Sequence, residues 1–219
     1  MDSLDRQQPR LTTLYFAYLQ LHDTRSFIQQ VTQCYDESTL IRLTESMYVH
    51  TRRAAALALG FVGTYQANES LGTLLKDRDR SVRLIAEGSL KLVWARDGSE
   101  EQRQELYAVM RLISEHHFDE AVSRANILLD ECPHYVEARN QRAIALFALN
   151  KFVECIEDSR MTLELNPYHF GAAIGMGHAY LQLRDQSSAI ECFQQALFIN
   201  PNLESVRRHV ERLIQSWMR

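Results

Sequence analysis

Histidines and paired carboxylates are the side chains of this sequence that could act as metal ligands or as acid–base groups. His116 and His117 are adjacent, and carboxylates are paired at 100–101 and at 119–120. Successive residues of a turn do not converge on one ion, and carboxylates at helix starts are favoured by the helix dipole. We therefore assign these residues to turns and helix ends, and we predict no metal site.

Nucleophilic and cofactor-binding motifs give the same result. Cys34, Cys132, Cys155 and Cys192 lie far apart without a CxxC pair, which predicts reduced, mostly packed thiols. The sequence contains no Gly-rich phosphate loop, no HExxH and no GxSxG. We predict that the protein has no cofactor and is not an enzyme.

The elements that position these residues are predicted to be helices. Good helix formers dominate, and only 8 Gly and 4 Pro occur in 219 residues. No apolar run approaches the roughly 20 residues of a membrane span, and the start MDSLDRQQPR lacks the pattern of a signal peptide. We expect an all-α protein in the cytoplasm, without membrane insertion.

A 34-residue period organises the C-terminal half, because Pro133, Pro167 and Pro201 recur at that interval without an insertion. Each proline follows the end of a helix, since proline lacks the amide proton and disfavours helical geometry in the preceding residue. Each unit is predicted to hold two helices. The predicted helices are 104–115, 119–131, 138–149, 153–165, 171–183 and 187–199.

Small residues recur with the same period at Ala121, Cys155 and Ala189, and again at Ala143 and Gly177. Their size allows the two helices of a unit to cross closely, with the ridges of one in the grooves of the other. The pattern is steric and indicates a stack of helix pairs.

The third unit, GAAIGMGHAYLQLRDQSSAIECFQQALFINP, resembles the tetratricopeptide repeat (TPR) family, and three in-phase copies cover residues 102–203. Arg139 and Arg142 depart from the family, which usually carries large apolar and aliphatic residues there. Ser159 departs where an aromatic residue is usual. The resemblance implies a solenoid whose first helices line the peptide-binding side.

A second, 31-residue period aligns Arg52 with Arg83 and Ala55 with Ala86. The segment RRAAALALGFVGTYQANESLGTLLKDRDRSVRLIAEGSL resembles HEAT repeats of the short, bilin-lyase-like type. Two units are predicted, at 36–63 and 67–95.

Individual residues in and after this segment predict where helices end and which two side chains pair. Gly60 and Gly63 are expected to end a helix, and Asp79 and Arg83 to pair along the next one. Ser99 is predicted to form a capping box with Gln102.

The fold class that follows is an all-α solenoid of stacked antiparallel helix pairs. Residues 1–35 are predicted to form N-terminal helices, with 11–34 as a candidate degenerate repeat. The HEAT-like repeats fill 36–96, the three TPR units fill 102–203, and a capping helix fills 204–219. The apolar face of the capping helix comprises Val206, Val210, Leu213, Ile214 and Trp217.

By phase, the first helices of the three TPR units define a candidate peptide-binding groove. The groove is partly apolar, which suits a peptide or an amphipathic helix with apolar anchors. Its predicted residues are Arg103, Leu106, Tyr107, Met110, Asn140, Gln141, Ile144, Phe147, Ile174, His178 and Leu181.

Family members that clamp acidic chaperone tails use Lys, Asn and Arg at particular first-helix sites. This sequence has Leu106, Met110, Gln141, Gly171 and Gly175 there. The difference argues against a role in binding chaperone tails. We expect a non-catalytic scaffold or adaptor that binds another protein.

Two other classes of function remain open. The HEAT-like half resembles lyases that attach bilin chromophores, which would predict tetrapyrrole binding by an enzyme or chaperone. The segment 48–96 carries 8 basic and 4 acidic residues, so nucleic-acid binding is a further alternative. Its candidate residues are Arg52, Arg53, Arg78, Arg80 and Arg83.

Overall fold

The computed structural model describes residues 9–217, and side-chain burial is described up to residue 215. Within this range all regular structure is helical, with thirteen α-helices, one 3-10 turn and no strand. The predicted all-α fold class is therefore confirmed. The contacts divide the chain into two compact units between Arg96 and Asp97, called unit 1 and unit 2 below. The predictions made on residues 1–8 lie outside the described part of the chain.

Unit 1 contains six helices, of which the third to sixth form two helix–turn–helix pairs. A 3-10 turn at Tyr65–Ala67 precedes the fifth helix. The helices are α1 (Arg10–Leu21), α2 (Thr24–Cys34), α3 (Glu37–Leu43), α4 (Val49–Val62), α5 (Asn68–Leu74) and α6 (Arg80–Arg96).

The 31-residue period is present in the backbone of unit 1. Helices α3 and α5 start one such period apart, at Glu37 and Asn68, and α4 and α6 do so at Val49 and Arg80. The two aligned arginines also make the same contacts. Arg52 donates to the carbonyls of residues 46 and 47, and Arg83 donates to those of residues 77 and 78. Each arginine thus fixes the turn before its own helix.

The two glycines expected to end α4 have different roles. Gly63 follows the last residue of α4, as predicted. Gly60 instead lies inside the helix, and the prediction that it ends α4 is wrong. A Cβ atom on Gly60 would lie 2.4 Å from Ser89 Oγ of α6. Because Ser89 Oγ also donates to the Ala56 carbonyl at 2.8 Å, Gly60 is needed where α4 and α6 cross.

Two ion pairs join α4 to the turn before α6. Arg52 Nε lies 2.7 Å from Asp77 Oδ2, and Arg53 Nη2 lies 2.7 Å from Asp79 Oδ2. The predicted pairing of Asp79 with Arg83 is wrong, because Asp79 is held by Arg53 and Arg83 by backbone carbonyls. Both carboxylates therefore link successive helix pairs rather than two turns of one helix.

Unit 2 contains seven helices, each in contact with the next along the chain. The first helices of successive pairs also contact each other, α7 with α9 and α9 with α11. Together these three helices form one surface, called the first-helix face below. The helices are α7 (Glu100–Ser114), α8 (Phe118–Glu131), α9 (Val136–Ala148), α10 (Phe152–Leu165), α11 (Phe170–Gln182), α12 (Gln186–Ile199) and α13 (Glu204–Trp217).

The 34-residue period of unit 2 extends to the backbone dihedral angles. Helices α8, α10 and α12 start at that interval, and so do α9, α11 and α13. The turn within each pair has a left-handed residue at His116, Asn150 or Arg184, with φ values of 63°, 60° and 62°. In each turn the next amide bonds to a carbonyl five residues back, as in a Schellman motif.

Small residues allow the helices of each pair to approach, as predicted. Ala121, Cys155 and Ala189 are buried. A Cβ atom on Gly177 would lie 2.7 Å from the Phe193 ring, so only glycine leaves room for that ring between α11 and α12. The Ser99–Gln102 capping box at the start of α7 is confirmed in both directions.

Helix α13 packs its apolar side on α12. Val206 and Val210 are buried in one cluster with Ile190 and Phe193. The proposed contribution of the Trp217 side chain lies outside the described side chains.

Candidate functional site

The predicted groove residues lie on the first-helix face at three levels of exposure. Tyr107 is 49% exposed and Ile144 is 43% exposed. His178 is also exposed. Asn140 and Leu106 are buried. The remaining six residues are partly exposed, namely Arg103, Met110, Gln141, Phe147, Ile174 and Leu181.

Leu106 is a correction to the predicted groove. Its side chain has no exposed surface and packs with Leu128 and Tyr135 in the core of the first pair. The helical phase predicted a surface position, but contacts with α8 and with the start of α9 bury the side chain. Ile174 and Leu181 are partly buried against the α12–α13 cluster, so much of their surface is also used in packing.

A cleft of about 120 Å³ opens between α9, α10 and α11. Four predicted groove residues line it: Asn140, Ile144, Phe147 and His178. Sequence reasoning did not assign the other five to the groove. They are Ala143, Cys155, Ser159, Gly171 and Gly175.

Three small residues create this cleft. Gly171 and Gly175 lie one turn apart on α11 and present no side chains. A Cβ atom on Gly175 would meet only Ser159 Oγ, at 3.8 Å. Ser159 stands where the TPR resemblance leads us to expect an aromatic ring. The sequence shows the absent aromatic ring and the two glycines separately, and the structure brings these three positions to one cleft.

A buried polar network lies at the unusual arginines of the second pair. Arg142 donates to Asp158 through Nε and Nη2, both at 2.7 Å, and to Asn126 at 2.8 Å. Arg139 Nη1 lies 3.4 Å from Asp158 and its Nη2 donates to the Pro133 carbonyl. The two arginines are thus held by a carboxylate between α9 and α10, which explains how they replace apolar residues.

The pKa of Arg142 is raised, first by its hydrogen bonds to Asp158 and, against the effect of burial, by the charge of that carboxylate. Its charge is therefore fixed within the helix pair and is not presented to the cleft.

A second buried pair joins α9 to α11. His169 Nδ1 accepts a hydrogen bond from the Ala172 amide at 3.0 Å, so Nε2 carries the proton and donates to Glu137 at 3.1 Å. Glu137 Oε1 accepts from the side-chain amides of Asn140 and Gln141. The Glu137–His169 pair therefore sets the start of α11 and orients two predicted groove residues.

The histidines that were considered as metal ligands are exposed, whereas Cys155 and Cys192 are buried. His116 and His117 are exposed in the turn between α7 and α8, and His117 lies 3.8 Å from Glu120. Among the described residues no group of three or more His, Cys, Asp or Glu could hold a metal ion. Burial raises the pKa of the Cys155 and Cys192 thiols to about 11. Such thiols are poor nucleophiles.

The five arginines considered for nucleic-acid binding fall into two groups, three that bind other groups of the protein and two that are exposed. Arg52, Arg53 and Arg83 are occupied by Asp77, Asp79 and backbone carbonyls. Only Arg78 and Arg80 of the five are exposed. In the part of the chain that is described, no helix has the length and hydropathy to cross a membrane.

Comparison with known proteins identifies the fold of about half of the chain. No family model matches the sequence. The first TPR domain of Spaghetti (RPAP3), bound to the HSP90 peptide SRMEEVD, matches with a TM-score of 0.53 and 20% identity, over 56% of this chain and 97% of that domain. The first TPR domain of human RPAP3 matches with a TM-score of 0.51 and 20% identity, over 53% and 92%.

The fold in that half is therefore that of a TPR solenoid. The 34-residue helix pairs of unit 2 have the corresponding period. At this identity the likeness defines the fold and leaves the ligand to be inferred from the residues on the first-helix face.

Proposed function

We propose that the protein is a non-catalytic scaffold or adaptor that binds a peptide or helix of another protein on the first-helix face of unit 2. The observation that carries this proposal is the cleft between α9, α10 and α11, which is open beside the exposed Ile144 side chain. An apolar cavity of roughly 150 Å³ accepts benzene, so a cleft of about 120 Å³ has room for one aliphatic side chain.

The shape of the surface supports a peptide as the ligand rather than a small molecule. The cleft is open to solvent beside Ile144, and Tyr107 of α7 is a further exposed side chain on the first-helix face. An extended or helical segment could place one anchor in the cleft and rest on Tyr107. The RPAP3 domain provides a precedent on the same fold, since it was solved with a bound peptide.

The predicted groove is retained in this proposal without Leu106, and with Gly171, Gly175 and Ser159 added to it. The predicted division into N-terminal helices (1–35), HEAT-like repeats (36–96), TPR units (102–203) and a capping helix (204–219) is part of the same proposal. The 31-residue period of α3–α6 supports two HEAT-like repeats in unit 1. Cytoplasmic location stays a prediction.

The alternatives have less support. Nucleic-acid binding would rest on Arg78 and Arg80, because the other three candidate arginines are held by the protein. A bilin-lyase-like role rests on sequence resemblance alone.

A selection from a displayed library of random twelve-residue peptides tests the proposal on the full chain. Gly175→Leu fills the cleft at a position where a Cβ atom is tolerated. Gly88→Leu is the matched control, since a Cβ atom on Gly88 of α6 meets nothing within 4 Å. We expect peptides enriched on the native chain to lose at least tenfold in affinity on Gly175→Leu and to keep it on Gly88→Leu.

A second variant tests the wider groove. Replacing Tyr107 and Ile144 with glutamate should abolish binding of the same peptides without changing the helical circular-dichroism signal. Enrichment of no peptide, or equal binding to Gly175→Leu and the native chain, would overturn the proposed site.

A further inference from the structure

The hydrogen-bonding character of the groove is set by one buried carboxylate, Glu137. An ionised carboxylate only accepts hydrogen bonds, so any amide that contacts it must present its NH2 group. The Asn140 and Gln141 side chains do so, with Nδ2 and Nε2 lying 3.2 Å and 2.6 Å from Glu137 Oε1. The orientation of the two side-chain amides is therefore fixed by the carboxylate, which can only accept hydrogen bonds.

Glu137 is held in its ionised form. Burial by itself raises its pKa, but the hydrogen bond and electrostatic interaction with His169, followed by the hydrogen bonds from Gln141 and Asn140, outweigh burial and the pKa is lowered. His169 cannot rotate to offer its other nitrogen, because Nδ1 accepts from the Ala172 amide. Both oxygens of Glu137 are occupied by donors, and the side chain is almost fully buried. A ligand therefore meets the two amides rather than the carboxylate.

The two amides present their carbonyl oxygens to a ligand. Within residues 9–217, Asn140 Oδ1 accepts no hydrogen bond, and it is not among the fully buried atoms without a partner. Asn140 lines the cleft, so this oxygen is an acceptor that it can offer there, in addition to the second N–H of its amide. Gln141 follows on the same helix with the same orientation. The cleft therefore offers a hydrogen-bond acceptor at Asn140, and Gln141 lies next to it in the sequence.

The charges around the cleft favour the same kind of ligand. The nine lining residues include no Lys or Arg. The ring of His178 lies 5.9 Å from that of His209, and its partial desolvation, together with this neighbour, lowers its pKa and disfavours a positive charge there. Arg103 of α7, which belongs to the predicted groove, is paired with Glu100. A ligand carboxylate would meet no available cation in the cleft, and it would approach the negative charge of Glu137.

We infer that the groove selects a non-acidic peptide segment: one aliphatic side chain fills the cleft, and peptide N–H groups beside it donate to the carbonyls of Asn140 and Gln141. This inference rests on the proposed function and specifies its partner. Asp and Glu are disfavoured next to the anchor, since their carboxylates would approach the negative charge of Glu137 and the amide carbonyls without a Lys or Arg in the lining. Discrimination comes largely from these unfavourable contacts.

The peptides selected on the native chain provide the first test. We use them as N-acetylated, C-amidated synthetic peptides, so that no terminal charge contributes. We expect Asp and Glu to be depleted within two residues of the aliphatic anchor, compared with the unselected library. Introducing one Glu beside the anchor should weaken binding by at least tenfold in a fluorescence anisotropy titration.

The second test removes single peptide donors. Each peptide N–H beside the anchor is replaced in turn by an ester oxygen. One such ester should weaken binding to the native chain about fivefold, the worth of one net hydrogen bond. The same ester should have no further effect on the double variant Asn140→Ala/Gln141→Ala, which keeps the Glu137–His169 pair.

The third test changes the buried carboxylate. Glu137→Gln keeps an acceptor for His169 but no longer forces the two amides into one orientation. The penalty for a flanking Glu should fall from tenfold or more to under threefold. If Glu137→Gln does not fold, the ester experiment on the double variant decides alone.

The outcomes separate this inference from the proposed function. Peptides that depend on the cleft but are rich in Asp or Glu would overturn the inference and leave the proposed function in place. Ester effects that are absent, or that persist on the double variant, would also overturn it. Peptide binding that is unaffected by Gly175→Leu would overturn the proposed function itself.

Discussion

Arg142 of α9 and Asp158 of α10 are joined by two hydrogen bonds of 2.7 Å, from Nε and Nη2 to the two carboxylate oxygens. Only 7% of the Asp158 side chain is exposed. Arg139 shares the same carboxylate. A carboxylate thus stands between two arginines at positions where the TPR resemblance predicts apolar contacts, and the second helix pair is held together by charge.

Asp158→Ala should destabilise unit 2 by about 3 kcal/mol, because it leaves two partly buried guanidinium groups without an anion. Urea unfolding followed by circular dichroism measures the loss, and hydrogen exchange of α9 and α10 locates it. Glu157→Ala, at an exposed position of α10, is the control and should change little. The triple change of Arg139, Arg142 and Asp158 to leucine should be neutral or stabilising. If Asp158→Ala lowers the free energy of unfolding no more than the control variant does, this account is contradicted.

Two glycines of unit 1 should respond in opposite directions to alanine. Gly60→Ala places a Cβ atom 2.4 Å from Ser89 Oγ and 3.1 Å from its Cα atom, so the helices must separate. We expect a loss of about 1–3 kcal/mol from overpacking. Gly88→Ala meets nothing and should gain up to about 1 kcal/mol from helix propensity. Thermal unfolding of the two variants compares them directly, and equal melting temperatures would show that α4 and α6 do not depend on Gly60.

The Arg53–Asp79 pair should make unit 1 sensitive to acid. The hydrogen bonds and charge of Arg53 contribute to lowering the pKa of Asp79 from 3.8 to about 2 in the folded protein. The folded state therefore gains stability above about pH 4, and it loses that contribution as the pH falls towards 2. The pair is partly exposed, so its contribution is on the order of 1 kcal/mol.

Asp79→Asn tests this pH dependence. The native chain should be more stable than the variant at pH 7, and the difference should shrink between pH 4 and pH 2. Urea midpoints at a series of pH values measure it. Glu69→Gln, exposed on α5, controls for the loss of one negative charge. A constant difference between the native chain and Asp79→Asn across this range would contradict the assigned pKa.

Periodicity made the fold predictable from the sequence. The spacing of Pro133, Pro167 and Pro201 placed most helix ends of unit 2 within two residues, because proline and the turn residues act on the local backbone. The start of α7 was placed at 104 rather than at Glu100, since the first pair has no preceding proline to mark it. The 31-residue period likewise aligned the helices of unit 1.

Pairing between helices could not be read from the same pattern. Asp79 satisfies the spacing for a bond to Arg83 along one helix, but it binds Arg53 of another helix. Gly60 satisfies the composition of a helix end, yet it lies at a helix crossing. A local rule identifies an available partner, and the helix packing decides which partner is nearest.

The sequence by itself determined the all-helical fold and the two repeat lengths, because these depend on residue propensity and period along one chain. The tertiary structure alone decided that Leu106 is buried, that Gly171, Gly175 and Ser159 together leave a cleft, and that Glu137, held by His169, turns two amides towards itself. Those properties depend on side chains that belong to different helices and lie far apart along the chain. Only the close packing of those helices brings them within a few ångströms of one another.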